Sequence, residues 1–282
     1  MTATHPLKGV ILCADDFAIH AGASEGIADL ATQGRLSATS AMVLSPRWPQ
    51  DVALLRPLRG QLDVGLHLDW TSDFALTAGH GLSLKAAMLK ALATGFDPIA
   101  ARLVIDQQLD AFEAHWQAPP DFVDGHQHVQ QFDGIRQALV QALSNRYGAS
   151  SVKPYLRVSR PAPGMTDLKS RIIAAMGANA IEKIAGQARF HCSTALLGIY
   201  DFSGPPRRYT QLMNGWLQGA PAGSIIMCHP ARQAETGDAI GQARAQEYAY
   251  LRSPQFADAL AQAEVQLVRG ADHLHAPLEV FE

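Results

Sequence analysis

Residues 223–229 read GSIIMCH, and the apolar run inside them decides the fold class. Ile225, Ile226, Met227 and Cys228 follow one another without a polar residue, so both faces of the segment suit burial. A strand covered on both faces belongs to a parallel sheet with helices packed on each side. The same chemistry recurs at GVILCA (9–14). Behind it comes SEGIADLATQGRL (24–36), where Ile27, Leu30 and Ala31 fall at i, i+3 and i+4 and Gly34 is a C-terminal stop. Further strands are predicted at 38–44, 62–68, 120–129, 154–159, 188–192 and 265–270. Helices are predicted near 51–59, 83–95, 98–117, 132–147, 166–186, 207–219 and 237–262. Strands alternating with helices require parallel pairing through crossovers. With no Gly/Ser/Pro linker between units, the chain reads as a single-domain α/β protein over 1–282. The expected architecture is a TIM-like variant (β/α) barrel of about seven or eight parallel strands, rather than two doubly wound domains.

The totals narrow the function. The 282 residues are 48% hydrophobic and 17% charged, ample for a sizeable core. A net charge of −3 and the lack of a Lys/Arg stripe exclude nucleic acid as an expected partner. No apolar run approaches a membrane span, and the N-terminus lacks the basic-then-apolar pattern of a signal peptide. Cys13, Cys192 and Cys228 are odd in number and scattered, so the expectation is buried inert thiols in a reducing cytoplasm. There is no Gly-x-Ser-x-Gly elbow, P-loop or dinucleotide-binding glycine fingerprint after a strand.

In a parallel α/β barrel the carboxyl ends of the strands converge on one face. The polar residues at those ends are Asp15 and Asp16 after strand one, His67 in GLHLDWT, Asp124, His126 and His128 in DGHQH, Arg157 in YLRVSR and His229 in MCHP. Taken singly, His67, Arg157 and His229 have structural explanations as strand-ending or ion-paired groups. DGHQH is more specific. If extended, residues 124, 126 and 128 project to one side, which suits an N/O metal site and also a hydrogen-bonded polar cluster without metal. The other histidines, at 5, 20, 80, 115, 191, 273 and 275, show no such pattern.

ADDF after strand one, GLHL followed by Thr71, DGHQH and a late CHP stand in one order over residues 8–232. In this the chain resembles the YdjC/ChbG-like carbohydrate deacetylase family, which includes chito-oligosaccharide deacetylases and hopanoid-biosynthesis-associated members. The resemblance implies a variant (β/α) barrel, one divalent metal ion and hydrolysis of an N-acetyl group from an amino sugar. It implies Asp15 as catalytic base, Asp16, His67 and His126 as metal ligands, and His128 as a further active-site residue. His229 corresponds to the late His of the family's HP motif, and the expected role is proton donor, with His128 in reserve. Two positions depart from the family: Ala18 where glycine usually follows ADDF, and Gln127 in place of the middle His of HHH.

The expected cofactor is zinc or magnesium, with nickel and cobalt also compatible with an Asp-His-His set. Asp124 is expected to orient an imidazole, Arg157 to grip a substrate hydroxyl or charge, and Trp70 to stack on a sugar face or sit in the core. The substrate is an acetylated amino sugar, either a soluble oligosaccharide or a glycolipid head group, with selectivity in loops 70–82, 160–166 and 198–209. A homodimer is compatible with this reading. Alternatives are a metal-dependent hydrolase of another amide or a phosphoester, and a non-catalytic sugar- or metal-binding barrel.

Overall fold

The computed structural model describes residues 7–165 and 167–275. Eight strands form one parallel sheet: β1 (Lys8–Phe17), β2 (Ala38–Ala41), β3 (Asp63–Leu68), β4 (Phe122–Gly125), β5 (Tyr155–Leu156), β6 (Leu196–Leu197), β7 (Ile225–Cys228) and β8 (Val265–Leu267). The order is β5-β4-β3-β2-β1-β7-β6, with β8 paired to the first residues of β1. A parallel bridge between Leu156 and Cys192, held by Leu156 N–H to His191 and Ser193 N–H to Leu156, ties β5 to the segment entering β6 and closes the ring.

The helices are α1 (Ala21–Thr32), α2 (Trp48–Asp51), α3 (Asp73–Thr77), α4 (Leu84–Ala93), α5 (Pro98–Trp116), α6 (Ile135–Tyr147), α7 (Leu168–Ala175), α8 (Ala178–Gln187), α9 (Pro206–Gly219), α10 (Gly241–Arg252), α11 (Pro254–Gln262) and α12 (Gly270–His273). The expected alternation is present, with local differences. In place of the helix expected near 51–59, α2 ends at Asp51 and two 3-10 turns follow, Val52–Leu54 and Arg56–Leu58. The strand expected at 188–192 contributes only the Cys192 bridge, and β6 comes four residues later. The reason is that α8 runs to Gln187 and Arg189 then adopts a left-handed φ of 60°, turning the chain before it can pair. The helices expected over 166–186 and 237–262 are each split, at Gly177 (φ 135°) and at Ser253-Pro254. Among the described residues no helix is long and apolar enough to cross a membrane.

Alternation along the strands sorts side chains into two layers. Val10, Leu12, Ala14, Val64, Leu66, Leu68, Ile226 and Cys228 belong to the larger core cluster, between sheet and helices. Ile11, Cys13, Phe122, Tyr155, Ile225 and Met227 form the second cluster, inside the ring. Phe122 and Tyr155 stack there with ring centroids 5.1 Å apart. This apolar plug fills the barrel, so a site can open only at an end.

Candidate active site

Extending each inward row by one step reaches the site. Ile11 and Cys13 lead to Asp15, Phe122 to Asp124, Tyr155 to Arg157, and Ile225 and Met227 to His229. His67 belongs to the same layer, because parallel register sets it beside Asp124 on the neighbouring strand. All five are buried or nearly so, and four of them, Asp15, His67, Arg157 and His229, line one cavity of about 710 Å³.

Asp16 breaks the parity. Adjacent strand residues face opposite ways, so Asp16 should point outward when Asp15 points in. The register between β1 and β2 shifts between Ala14 and Phe17, a bulge centred on Asp16 with φ 67°. A bulge with one left-handed residue re-aims a side chain, and here it brings both carboxylates to the cavity. Ala18 also adopts a left-handed φ, 72°, so the position where the family usually has glycine keeps a conformation glycine favours. Two hydroxyls brace it: Ser24 Oγ accepts from Ala18 N–H at 3.1 Å, and Ser45 Oγ donates to its carbonyl at 2.6 Å.

Asp16 Oδ1 faces two imidazoles, 3.0 Å from His126 Nδ1 and 3.4 Å from His67 Nε2. One donor atom from each of the three lies within 4.8 Å of the others. His67 Nδ1 stands 2.6 Å from Asp124 Oδ1 and 3.0 Å from Ser40 Oγ. A proton on Nδ1 donated to Asp124 leaves the Nε2 lone pair facing Asp16. An acid and two imidazoles of this type fit a divalent cation with N/O preference. Burial opposes charge on His67, but Asp124, Asp16 and Asp15 outweigh it and raise its pKa to about 10. A cation at this site therefore competes with that proton.

Asp15 is held by a bidentate fork, with Arg157 Nη1 donating to Oδ1 at 2.7 Å and Nη2 to Oδ2 at 2.9 Å. Arg157 Nη2 also lies 2.9 Å from Asp124 Oδ2, a charge contact without hydrogen-bond alignment. Burial alone would raise the Asp15 pKa; Arg157, His67 and His229 hold it well below the usual carboxylate range. Arg157 is fully buried. It positions Asp15 with both terminal nitrogens and Asp124 with Nη2, while its Nε is without a partner at the cavity.

DGHQH is not extended. β4 ends at Gly125, and His126–Gln131 turns as a 3-10 segment with left-handed Gln127 (φ 54°) and His128 (φ 65°). A Cβ on Gly125 would stand 2.9 Å from Gln130 N, so the turn folds back tightly on the strand end. The alternation argument for 124, 126 and 128 thus fails, although the turn still carries His126 to Asp16 and His128 to the cavity. His128 Nδ1 pairs with Ser159 Oγ at 3.1 Å; burial, aided by Arg157, lowers its pKa to about 3.

His229 Nε2 is 4.0 Å from Asp15 Oδ2, its Nδ1 has no partner, and Phe202 packs edge-on at 5.1 Å. Burial lowers its pKa to about 4. Two residues beside it were not anticipated. Glu247 accepts the His229 backbone N–H and the Tyr200 hydroxyl (2.6 Å), and burial raises its pKa to about 7. Arg244 Nη2 donates to Asp16 Oδ2 at 2.7 Å and its Nε to Asp238 at 2.6 Å, while Nη1 is unpartnered. Both stand on α10, where their spacing reads as an ordinary polar helix face.

Trp70 is a core residue, packed against His80 and Phe96, and does not line the cavity. It lies two residues past outward-facing Leu68, in the layer beneath the helices. Stacking on a sugar face is therefore ruled out for it. Cys13 and Cys228 are buried free thiols and Cys192 is half-buried, with burial raising the pKa of each.

A family model described as YdjC-like protein matches residues 9–262. A chitooligosaccharide deacetylase from Enterobacter sp. (strain 638) is 30% identical over 168 residues, which is 57% of this chain and 63% of that relative's length. The chain thus spans under two thirds of the curated relative it matches. Among solved structures, an Enterococcus faecalis V583 protein provisionally described as a cellobiose-phosphate cleavage protein superposes with TM-score 0.69 at 18% identity, covering 94% of this chain and 98% of that one. At that identity the likeness establishes shared fold alone.

Proposed function

The chain belongs to the YdjC-like family, and from that premise we propose that it is a metal-dependent carbohydrate N-deacetylase, hydrolysing the acetamido group of an amino sugar. The reading takes the whole chain, 1–282, as the catalytic unit. The observation that carries it is the meeting of Asp16, His67 and His126 around one point, with Asp15 clamped next to them by Arg157.

In this reading Asp16, His67 Nε2 and His126 hold one divalent cation. Such a cation, when bound, lowers the pKa of a water and polarises the acetyl carbonyl. Asp124 fixes the His67 tautomer, and Ser40 shares that duty. Asp15 accepts the proton of the attacking water. Arg157 occupies one lone pair on each Asp15 oxygen; Ser40 and Cys13 also donate to Oδ1, which leaves the second lone pair of Oδ2 to take a proton. The fork keeps Asp15 ionised and aimed, at the expense of basicity.

The departing amine needs a proton. His229 is neutral in this environment, so it delivers a proton only after receiving one, and Asp15 Oδ2 is the group within reach. One of water's protons passes to Asp15, then to His229 Nε2, then to nitrogen as the C–N bond breaks, leaving free amine and acetic acid, whose remaining proton is lost to solvent to give acetate. Glu247 holds the His229 backbone through this transfer.

The test is mass-spectrometric loss of one acetyl group across a panel of N-acetylated amino sugars, with and without chelator. Turnover that stops with chelator and returns with added cation supports the reading. Hydrolysis of a nitrophenyl phosphate with no deacetylation of any sugar overturns it.

A further inference from the structure

Asp16 is aimed from outside the barrel. Its bulged backbone brings the carboxylate to the cavity, but the terminal torsion of an aspartate is broad and lets the two oxygens turn. A further contact must therefore decide which oxygen meets the imidazoles. Oδ1 faces His126 and His67, and Oδ2 accepts from Arg244 Nη2 at 2.7 Å. Arg244 is buried on α10, 228 positions away along the chain. Its own direction is set by a second acid, since Nε donates to Asp238 Oδ2 at 2.6 Å.

Asp238 is anchored in turn. His20 Nδ1 accepts the Ala23 N–H at 3.1 Å, which places the ring proton on Nε2, 3.3 Å from Asp238 Oδ2. Asp238 Oδ1 accepts the Ile240 N–H at 3.0 Å. Arg232 N–H donates to the Gly22 carbonyl at 2.9 Å, so the segment between β7 and α10 is sewn to the start of α1. A planar guanidinium suits this place. Two of its nitrogens grip two carboxylates at a fixed angle, which a lysine ammonium does not reproduce. Charge points the same way: Arg244 alone would set a positive charge beside a cation site, and Asp238 offsets it. Given the cation site of the deacetylase reading, we propose that Arg244, held by Asp238, is a positioning residue that turns Asp16 Oδ1 toward the ion. An arginine that only stapled α10 to the barrel would leave ion binding unchanged.

The test is the zinc affinity of the chelator-stripped full chain, measured by competition with a chelating dye, alongside thermal unfolding. R244K keeps the charge and loses the fork, so the Kd for zinc is expected to rise at least about tenfold. D238N loses the hold on Arg244 and the offsetting charge together, and its Kd is expected to rise about threefold or more. Should R244K fail to fold, D238N decides alone, because an amide replaces a carboxylate of the same shape at a half-buried loop position. Wild-type Kd in both variants, whatever their Tm, overturns the proposal and leaves Arg244 a structural staple. Binding is read without substrate, so failure to deacetylate any sugar leaves this result intact. Wild-type protein that binds no zinc removes the cation site, and the proposal falls with it.

Discussion

Both ends of the barrel bury acids with arginine, and they use them differently. At the amino-terminal end, Asp63 opens β3 and both of its carboxylate oxygens accept hydrogen bonds. Arg269 Nε donates to Oδ1 at 2.8 Å, and the Tyr155 hydroxyl (3.1 Å) and Ala271 N–H (3.0 Å) donate to Oδ2. Asp121 accepts the Val64 N–H at 2.8 Å. Burial raises the pKa of both; with Asp63 adjacent, Asp121 reaches about 6. At the carboxyl end, arginines and imidazoles press the pKa values of Asp15 and Asp16 down, against burial. Left-handed residues gather there, at Asp16, Ala18, Gln127 and His128, and donor atoms on His229 and Arg244 remain unpaired. One end is a closed plug. The other holds charge and hydrogen-bonding capacity in reserve, which a functional site requires.

The largest expected effect separates charge that reacts from charge that binds. D15N should lower turnover by about 10³-fold, typical of a lost general base, while bound cation measured by atomic emission stays at the wild-type level. Loss of the cation instead would make Asp15 a ligand and erase the distinction between the paired acids.

Next, D16A, H67A and H126A should each weaken cation affinity by more than about 100-fold, because each removes one of three protein ligands. Wild-type metal content in all three variants would reduce the carboxyl end to another structural ion-pair network.

The amino-terminal end gives a smaller, pH-dependent effect. Asp121 binds its proton more tightly folded than unfolded, so its contribution to stability is present below the unfolded value of 3.8 and declines as pH rises through about 6. D121N removes that decline. Its Tm relative to wild type should therefore climb between pH 4 and pH 7, by the equivalent of about 1 kcal/mol after discounting for partial exposure. A constant difference would show that Asp121 is not held neutral by burial.

The smallest effect concerns backbone strain. A left-handed alanine costs about 1–2 kcal/mol, which A18G relieves while losing a buried methyl and loosening the unfolded chain. A18G should therefore unfold in urea within about 0.5 kcal/mol of wild type, whereas A138G, in the buried face of α6, should cost about 1–2 kcal/mol. Equal losses at both positions would mean that Ala18 is unstrained.

Much of the site was legible because barrel geometry turns sequence parity into position. Asp15, Asp124, Arg157 and His229 each continue an apolar inward row, so their appearance at strand ends already placed them on one face. The reading of DGHQH reached residues that do line the cavity through a wrong local geometry. Its two left-handed residues carry no glycine to announce them. Arg244 and Glu247 were illegible for another reason: on a helix, a charge facing the barrel mouth and a charge facing water have the same spacing.

By itself, the order of apolar runs determined a parallel barrel and the strand ends that carry polar residues, since burial on both faces and alternation are local properties of the chain. Only the tertiary structure decided that Asp16 joins Asp15 inside, that Arg157 forks onto Asp15, and that Trp70 packs beneath the helices. Each of these depends on a neighbour more than 20 positions away, through a bulge set by pairing with β2, an ion pair reaching from β5 to β1, and a ring seated against Phe96.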